Sequence, residues 1–330
     1  MSRLGLALST PLLHNDMVRV VQECENLELD SFWLAEGLGK DAFAQLGALA
    51  PQTSRITLGT GIINIYTRSA TLVSMAAAAL NDITSGRFVL GLGTAHKRPT
   101  EERHSTPFIM PFQRMRDYIS IIRPALAGKS VTYQGKAYAV KDLKLHFPAP
   151  QGKVPIYMAV LRPGMARLAG EVADGVILHY VSKSHIKRLK EAIAEGAISA
   201  GRDPSEIVVA CFVICNASRD LQHARRQVAN SVAYYGSMYF YRELLRMMGF
   251  EEEANAFADA WHRNDGDSAI EAVSPRLWDE LSIAAGYEDI PRKIEMLRNA
   301  GVDLPIIYPT TDLQGTTESV LLALQSATAS

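Results

Sequence analysis

The chain has 330 residues, of which 48% are hydrophobic and 21% are charged. Lys and Arg number 34 against 35 Asp and Glu, so the formal net charge is −1. This balance argues against nucleic acid or a membrane surface as a partner, because both require a concentrated basic patch. The three cysteines, Cys24, Cys211 and Cys215, predict no disulfide framework and favour the reducing cytoplasm. The longest apolar window, residues 70–80, is too short to span a membrane.

Short apolar runs alternate with helical patterns along the chain. In chain order we predict a strand at 4–9, a helix at 16–29, a strand at 31–36, a helix at 41–50, a strand at 56–63, a helix at 69–82 and a strand at 88–93. An irregular polar segment at 94–110 and a helix at 112–127 follow. Further on we predict strands at 154–160, 175–180, 207–215 and 304–308, with helices at 164–173, 184–200 and 315–327.

Eight strand-like runs, each followed by a helix, predict parallel strands with right-handed crossovers. Eight such units favour a closed (β/α)8 TIM barrel, and a doubly wound open sheet is the alternative. Residues 131–147 alternate and turn at Gly135, which predicts an inserted hairpin after the fourth strand. Residues 219–300 predict a helical excursion after the seventh strand. No Pro/Gly/Ser-rich linker divides the chain, so we predict one domain over 1–330.

Active sites of such barrels are built from the loops at the C-terminal ends of the strands. The third and fourth runs end in glycine-rich segments, 59–61 and 91–94. Glycine there allows a bulge or a close approach to a flat ligand, and a tight barrel corner is the alternative. Neither segment has the dinucleotide-binding fingerprint.

The turn after the fifth run reads Leu161-Arg162-Pro163-Gly164-Met165 and leads into an amphipathic helix. The N–H groups and the dipole of a helix N-terminus attract anions, and Arg162 adds a positive charge. This predicts a phosphate site, with a plain turn and an exposed arginine as the alternative.

The polar segment 94–110 contains His96 and His104. Loops of this length in a compact domain are usually lids or binding elements. Histidine can transfer protons near neutral pH, so both are candidate acid/base residues, and His179 at the end of the sixth run is a further one. No cluster at metal-ligand spacing occurs, and we predict no metal site.

Six stretches of the chain carry a further signal; they lie at 30–36, 55–69, 80–93, 114–118, 154–159 and 168–175. Together these stretches resemble the bacterial luciferase-like flavin and deazaflavin oxidoreductases. The resemblance implies a (β/α)8 barrel that binds FMN or coenzyme F420 at its C-terminal mouth. Residues 36–43 and 64–68 favour the F420-dependent branch related to methylene-tetrahydromethanopterin reductase.

The resemblance also implies where the cofactor binds. A bulge in the third strand, with a cis peptide between Gly61 and Ile62, would support the ring, and the turn after the fifth strand would hold the phosphate. The expected cofactor-binding residues are Gly61, Ile62, Asn64, Gly93, Thr94, Ala159, Val160, Leu161, Arg162, Pro163, Gly164 and Met165. The chain departs from the family pattern at Arg162, where a glycine is usual, and at Gly37, where many members have a histidine.

The function that these features imply is F420-dependent hydride transfer to or from a small organic substrate. With Gly37 in the usual histidine position, His96 is the first candidate for proton transfer and His104 the second. Glu36 is the third catalytic candidate, through a hydrogen bond to the ring. The alternatives are an FMN-dependent monooxygenase supplied by a separate flavin reductase, and a non-catalytic flavin-binding relative. Whether the chain forms a homodimer is left open by the sequence.

Overall fold

The computed structural model describes residues 3–9, 12–148, 152–310 and 317–328. The strands are β1 Gly5–Leu8, β2 Ser31–Leu34, β3 Thr57–Thr60, β4 Ile63–Asn64, β5 Phe88–Gly93, β6 Val131–Gln134, β7 Ala139–Leu143, β8 Ile156–Ala159, β9 Gly175–His179, β10 Val208–Ala217, β11 Ser282–Ala285 and β12 Leu304–Pro309. The α-helices are α1 His14–Asn26, α2 Ala42–Leu49, α3 Ala70–Ile83, α4 Lys97–His104, α5 Pro111–Leu126, α6 Pro163–Val172, α7 Lys183–Ser199, α8 Leu221–Gly236, α9 Tyr239–Met247, α10 Glu251–Arg263, α11 Gly266–Glu271, α12 Pro275–Leu281, α13 Ile290–Asn299 and α14 Thr317–Thr328.

The chain divides into two compact units. The first unit comprises Met1–Leu29, Leu178–Glu191 and Val209–Ser330, and the second comprises Asp30–Ile177 and Ala192–Val208. Within the second unit the parallel strand order is β2-β3-β5-β8-β9, and within the first it is β11-β10-β12-β1. The eight strands β1, β2, β3, β5, β8, β9, β10 and β12 form the predicted (β/α)8 barrel. The assignment of residues 1–330 to one domain stays a prediction.

Register in the second unit places large aromatic side chains opposite glycines. Trp33 of β2 pairs with Gly59 of β3, and Tyr157 of β8 pairs with Gly175 of β9. A Cβ atom on Gly59 would lie 2.3 Å from the Trp33 indole, and one on Gly175 would lie 2.7 Å from the Tyr157 ring. The two aromatic rings also contact each other, with centroids 5.7 Å apart. These glycines therefore make room for the aromatic packing of the core.

Helices begin where polar side chains satisfy the first backbone N–H groups. Ser69 accepts a hydrogen bond from Leu72 N at the start of α3, and Asp220 accepts two at the start of α8. Such caps satisfy N–H groups that would otherwise have no acceptor. Behind its cap, α3 buries Val73, Ala77 and their neighbours on the same face.

Both predicted insertions are confirmed. The antiparallel hairpin β6–β7 lies between α5 and β8, and the helical excursion after β10 contains α8 to α13. One local expectation was wrong, because the segment 94–110 is not irregular throughout but contains α4. The excursion is mostly helical, as expected, and also contains the strand β11, which pairs in parallel with the end of β10.

Candidate active site

The third predicted strand is interrupted where the resemblance places a bulge. β3 ends at Thr60, the Gly61–Ile62 peptide bond is cis as expected, and β4 begins at Ile63. The Thr60 hydroxyl donates to Gly91 O at 3.0 Å and accepts from Gly91 N at 2.8 Å. A side chain thus replaces the backbone hydrogen bonds between β3 and β5 at this point.

Ile62 lies directly on Gly93, the last residue of β5. A Cβ atom on Gly93 would come within 2.7 Å of two Ile62 side-chain atoms and 3.2 Å of Ala159 Cβ. Gly61 and Ile62 are half-buried, whereas the strand residues on either side of them are buried. We call Gly61, Ile62, Gly93 and Ala159 the shelf; Gly61, Ile62 and Ala159 are half-buried, and Gly93 is buried beneath the Ile62 side chain.

The turn 161–165 follows the shelf residue Ala159 by two residues. Val160 is buried and its N–H donates to Ile177 O at 3.1 Å, while Arg162 is exposed and precedes α6 with an extended backbone. Ala166 N makes the first helical bond of α6, to Arg162 O at 3.0 Å. Pro163 has no N–H, so the backbone donors of this first turn are Gly164 and Met165. A Cβ atom on Gly164 would meet nothing within 4 Å, so the space beside Gly164 is open.

The two candidate histidines occupy opposite ends of α4. His96 immediately precedes the helix and is half-buried, whereas His104 is its last residue and is exposed. Eight residues of helix separate them by about 12 Å. Burial lowers the pKa of His96 from its ordinary value of 6.5, so its imidazole is neutral at pH 7. Thr94 lies between Gly93 and His96 and is half-buried.

Glu36 is held in an ion-pair network at the end of β2. Its carboxylate accepts from both terminal nitrogens of Arg68, at 2.9 Å for Nη2, and from Ala42 N at 3.0 Å. Arg68 also pairs with Asp41. Burial raises the pKa of Asp41, but the Ala44 N–H and the Arg68 guanidinium lower it by more, so its pKa falls below the usual range. Arg68 and Ala42 N thus fix the position of the Glu36 carboxylate. The catalytic role of Glu36 stays a prediction.

Asn64 uses both polar atoms of its side chain within the protein. Its Nδ2 donates to Thr100 Oγ1 at 3.2 Å, and its Oδ1 accepts from Tyr66 N at 2.9 Å. Asn64 is therefore joined to α4, which carries Thr100, and its role toward a cofactor stays a prediction.

An aromatic cluster lies in the first unit around His179, at the end of β9. His179 Nδ1 lies 3.1 Å from Phe212 O, and its ring packs edge-on against Tyr235 and Tyr308, at centroid distances of 4.6 and 5.5 Å. The Tyr308 hydroxyl donates to Ser9 Oγ. Burial raises the pKa values of Tyr235 and Tyr308, so both phenols stay protonated at neutral pH. Sequence reasoning identified His179 but not Tyr235, which comes from a helix of the excursion with no recognisable motif.

Residues 3–9, 12–148, 152–310 and 317–328 contain no group of three His, Cys, Asp or Glu side chains that could hold a metal ion. Within the same ranges, no helix is both long and apolar enough to cross a membrane.

Similarity to known proteins agrees with this architecture. The sequence profile of the luciferase-like monooxygenases matches residues 3–304. A 5,10-methylenetetrahydromethanopterin reductase of Methanolobus tindarius is 32% identical over 283 residues, covering 84% of this chain and 85% of the relative. A putative coenzyme F420-dependent oxidoreductase of Mycobacterium tuberculosis is 26% identical over 331 residues, covering 92% and 94%.

The solved structure of the coenzyme F420-dependent tetrahydromethanopterin reductase from Methanopyrus kandleri superimposes with a TM-score of 0.87 at 25% identity, covering 98% of each chain. The fold is thus that of a (β/α)8-barrel oxidoreductase, as expected from the sequence. The chain belongs to the luciferase-like monooxygenase family.

Proposed function

We propose that this protein is an F420-dependent oxidoreductase that transfers a hydride to or from a small organic substrate. The observation that carries the proposal is the shelf, where the Ile62 side chain packs on Gly93 and Gly93 lies beside Ala159. Glycine and alanine beside one aliphatic side chain allow the close approach of a planar ring system. Two relatives whose names specify methylenetetrahydromethanopterin reduction or F420 dependence support the deazaflavin over the flavin.

The residues of the turn 161–165 fit the phosphate of such a cofactor. Gly164 N and Met165 N point out of the first turn of α6, the space around Gly164 is open, and Arg162 is exposed beside them. Donors at a helix N-terminus with an adjacent cation form a recognised anion site. Leu161 and Pro163 would shape the turn, and Val160 would anchor it through its bond to Ile177 O.

The bound deazaflavin would supply the two-electron hydride chemistry, and the protein would supply orientation and proton transfer. His96 is the proposed acid/base residue, because it follows the shelf residue Gly93 by three positions and is neutral at pH 7. A neutral imidazole can take the proton that accompanies oxidation of an alcohol or amine carbon. His104 is the second candidate, and Glu36, fixed by Arg68, would hydrogen-bond near the ring.

Anaerobic turnover tests the proposal against its alternatives. Reduced F420 should be oxidised without oxygen in the presence of an acceptor from a panel that includes methylene-tetrahydropterins. Turnover that requires oxygen, reduced FMN and a separate flavin reductase would establish the FMN-dependent monooxygenase instead. Cofactor binding without turnover of any acceptor would favour the non-catalytic relative.

We further propose that the protein acts in the cytoplasm as a homodimer. The three described cysteines are free and buried, which agrees with a reducing compartment. Sedimentation equilibrium of the full chain tests the assembly, and a single species at the monomer mass of 36.2 kDa would refute it.

A further inference from the structure

α4 has no apolar face with which to pack on the rest of the protein. Its sequence is Lys-Arg-Pro-Thr-Glu-Glu-Arg-His, and Thr100 is its one buried residue, with 0% exposure. A helix that is polar all round gains little from hydrophobic burial, so specific polar contacts must determine its position. Glu101 makes an exposed contact, accepting from Phe108 N at 3.2 Å, and Thr100 makes a buried one.

Thr100 is joined on one side to the end of β4 and on the other to His96. Its hydroxyl accepts from Asn64 Nδ2 at 3.2 Å in a buried hydrogen bond, and its N–H donates to His96 O at 3.1 Å. Asn64 is fixed in turn, because its backbone pairs with Gly93 and its Oδ1 accepts from Tyr66 N.

These contacts form a closed circuit. From Gly93 the chain runs through residues 94 and 95 to His96, and the contacts return through Thr100 and Asn64 to Gly93. Ala95 within this segment has a left-handed φ of 51°, a conformation that alanine rarely adopts unless its surroundings impose it. The segment that carries His96 is therefore held at both ends.

We propose that Asn64 and Thr100 are positioning residues that act as a latch, fixing His96 relative to the shelf. The proposal rests on the proton-transfer role given above to His96. Asn64 would then serve the site through α4 rather than by touching the cofactor. Because displacement of a reacting group by about 1 Å can cost about 100-fold in rate, a latch without contact to substrate can still govern turnover.

Substitution at Thr100 in the full-length protein tests the latch. Thr100→Val keeps the shape of the side chain but removes the hydroxyl, and Thr100→Ser restores the acceptor. Thr132→Val, on the exposed face of the hairpin strand β6, is the matched control. If Thr100→Val fails to fold, as judged by circular dichroism, Thr100→Ala replaces it in the same comparison.

The first measurement is independent of activity. In Thr100→Val we expect amide hydrogen exchange within α4 to be at least tenfold faster and the His96 ring NMR signals to shift. Thr100→Ser and Thr132→Val should match the wild type. Unchanged exchange and unchanged His96 signals in Thr100→Val would overturn the latch.

The second measurement is turnover of reduced F420. We expect kcat to fall about 10- to 100-fold in Thr100→Val with KM within twofold, and to recover in Thr100→Ser. If the His96 signals shift while kcat stays at the wild-type value, the latch is supported and the proton-transfer role of His96 is refuted. The latch and the proton-transfer role of His96 can therefore be refuted by different results.

Discussion

Replacing Gly93 by alanine would place a methyl group where the Ile62 side chain now lies. The new Cβ atom would be 2.7 Å from Ile62 Cγ1 and Cδ1, whereas ordinary contact begins at 3.4 Å, so Ile62 must move by about 0.7 Å. The atoms that must move are the end of a half-buried side chain, so the cost in stability should lie at the low end for overpacking, about 1 kcal/mol. Because Ile62 belongs to the proposed ring support, we expect the cofactor dissociation constant to rise more than tenfold, or about 1.4 kcal/mol.

The assay is a fluorescence titration with F420 beside a urea unfolding curve, each with two comparison variants. Gly47→Ala, in α2, meets nothing within 4 Å; it should stabilise the protein by roughly 0.5–1 kcal/mol and leave binding unchanged. Gly91→Ala would bring a Cβ atom within 1.8 Å of Thr60 O, a backbone atom, and should prevent folding. If Gly93→Ala loses stability but keeps the wild-type dissociation constant, the shelf does not support the cofactor.

Arg162→Glu should weaken F420 binding by more than tenfold, about 1.4 kcal/mol, while Arg167→Glu inside α6 should not. Equal effects of the two variants in a binding titration would mean that the phosphate binds elsewhere. Gly61→Val should impair binding more than stability, and a melting curve beside a titration that shows intact binding would contradict this. His96→Ala should lose about 10²–10⁴-fold in rate with nearly unchanged cofactor affinity, and His104→Ala provides the comparison; near-normal rates in both would make His179 the better candidate. Because burial lowers the pKa of His96, its neutral form favours the folded state, so acidification below about 6.5 should destabilise the wild type relative to His96→Gln. If the free energies of unfolding of the wild type and His96→Gln change in parallel between pH 7.5 and 5, His96 is not desolvated.

Much of the fold could be predicted, because buried parallel strands and amphipathic helices leave periodic patterns in the sequence. The exceptions lack such patterns. α4 is polar all round, so it has no apolar period, and β11 is a four-residue Ser-Ile-Ala-Ala segment that is strand only because β10 extends far enough to pair with it. Tertiary pairing, rather than local preference, determines β11.

The site was predicted less fully, because its contacts join distant residues. The resemblance located the cis Gly61–Ile62 bond, and the helix-start pattern located the turn 161–165. No sequence pattern links Glu36 to Arg68, which is 32 residues away, or Asn64 to Thr100, which is 36 residues away. Such polar pairs depend on the register of β4 and the placement of α4, which become known only from the folded chain.

Competition between F420 and FMN for the purified protein tests the central claim most directly. We predict that F420 binds with its fluorescence altered, that a tenfold excess of FMN fails to displace it, and that Gly93→Ala weakens its binding more than tenfold. Displacement of F420 by equimolar FMN, or F420 binding that is indifferent to Gly93→Ala, would contradict the account.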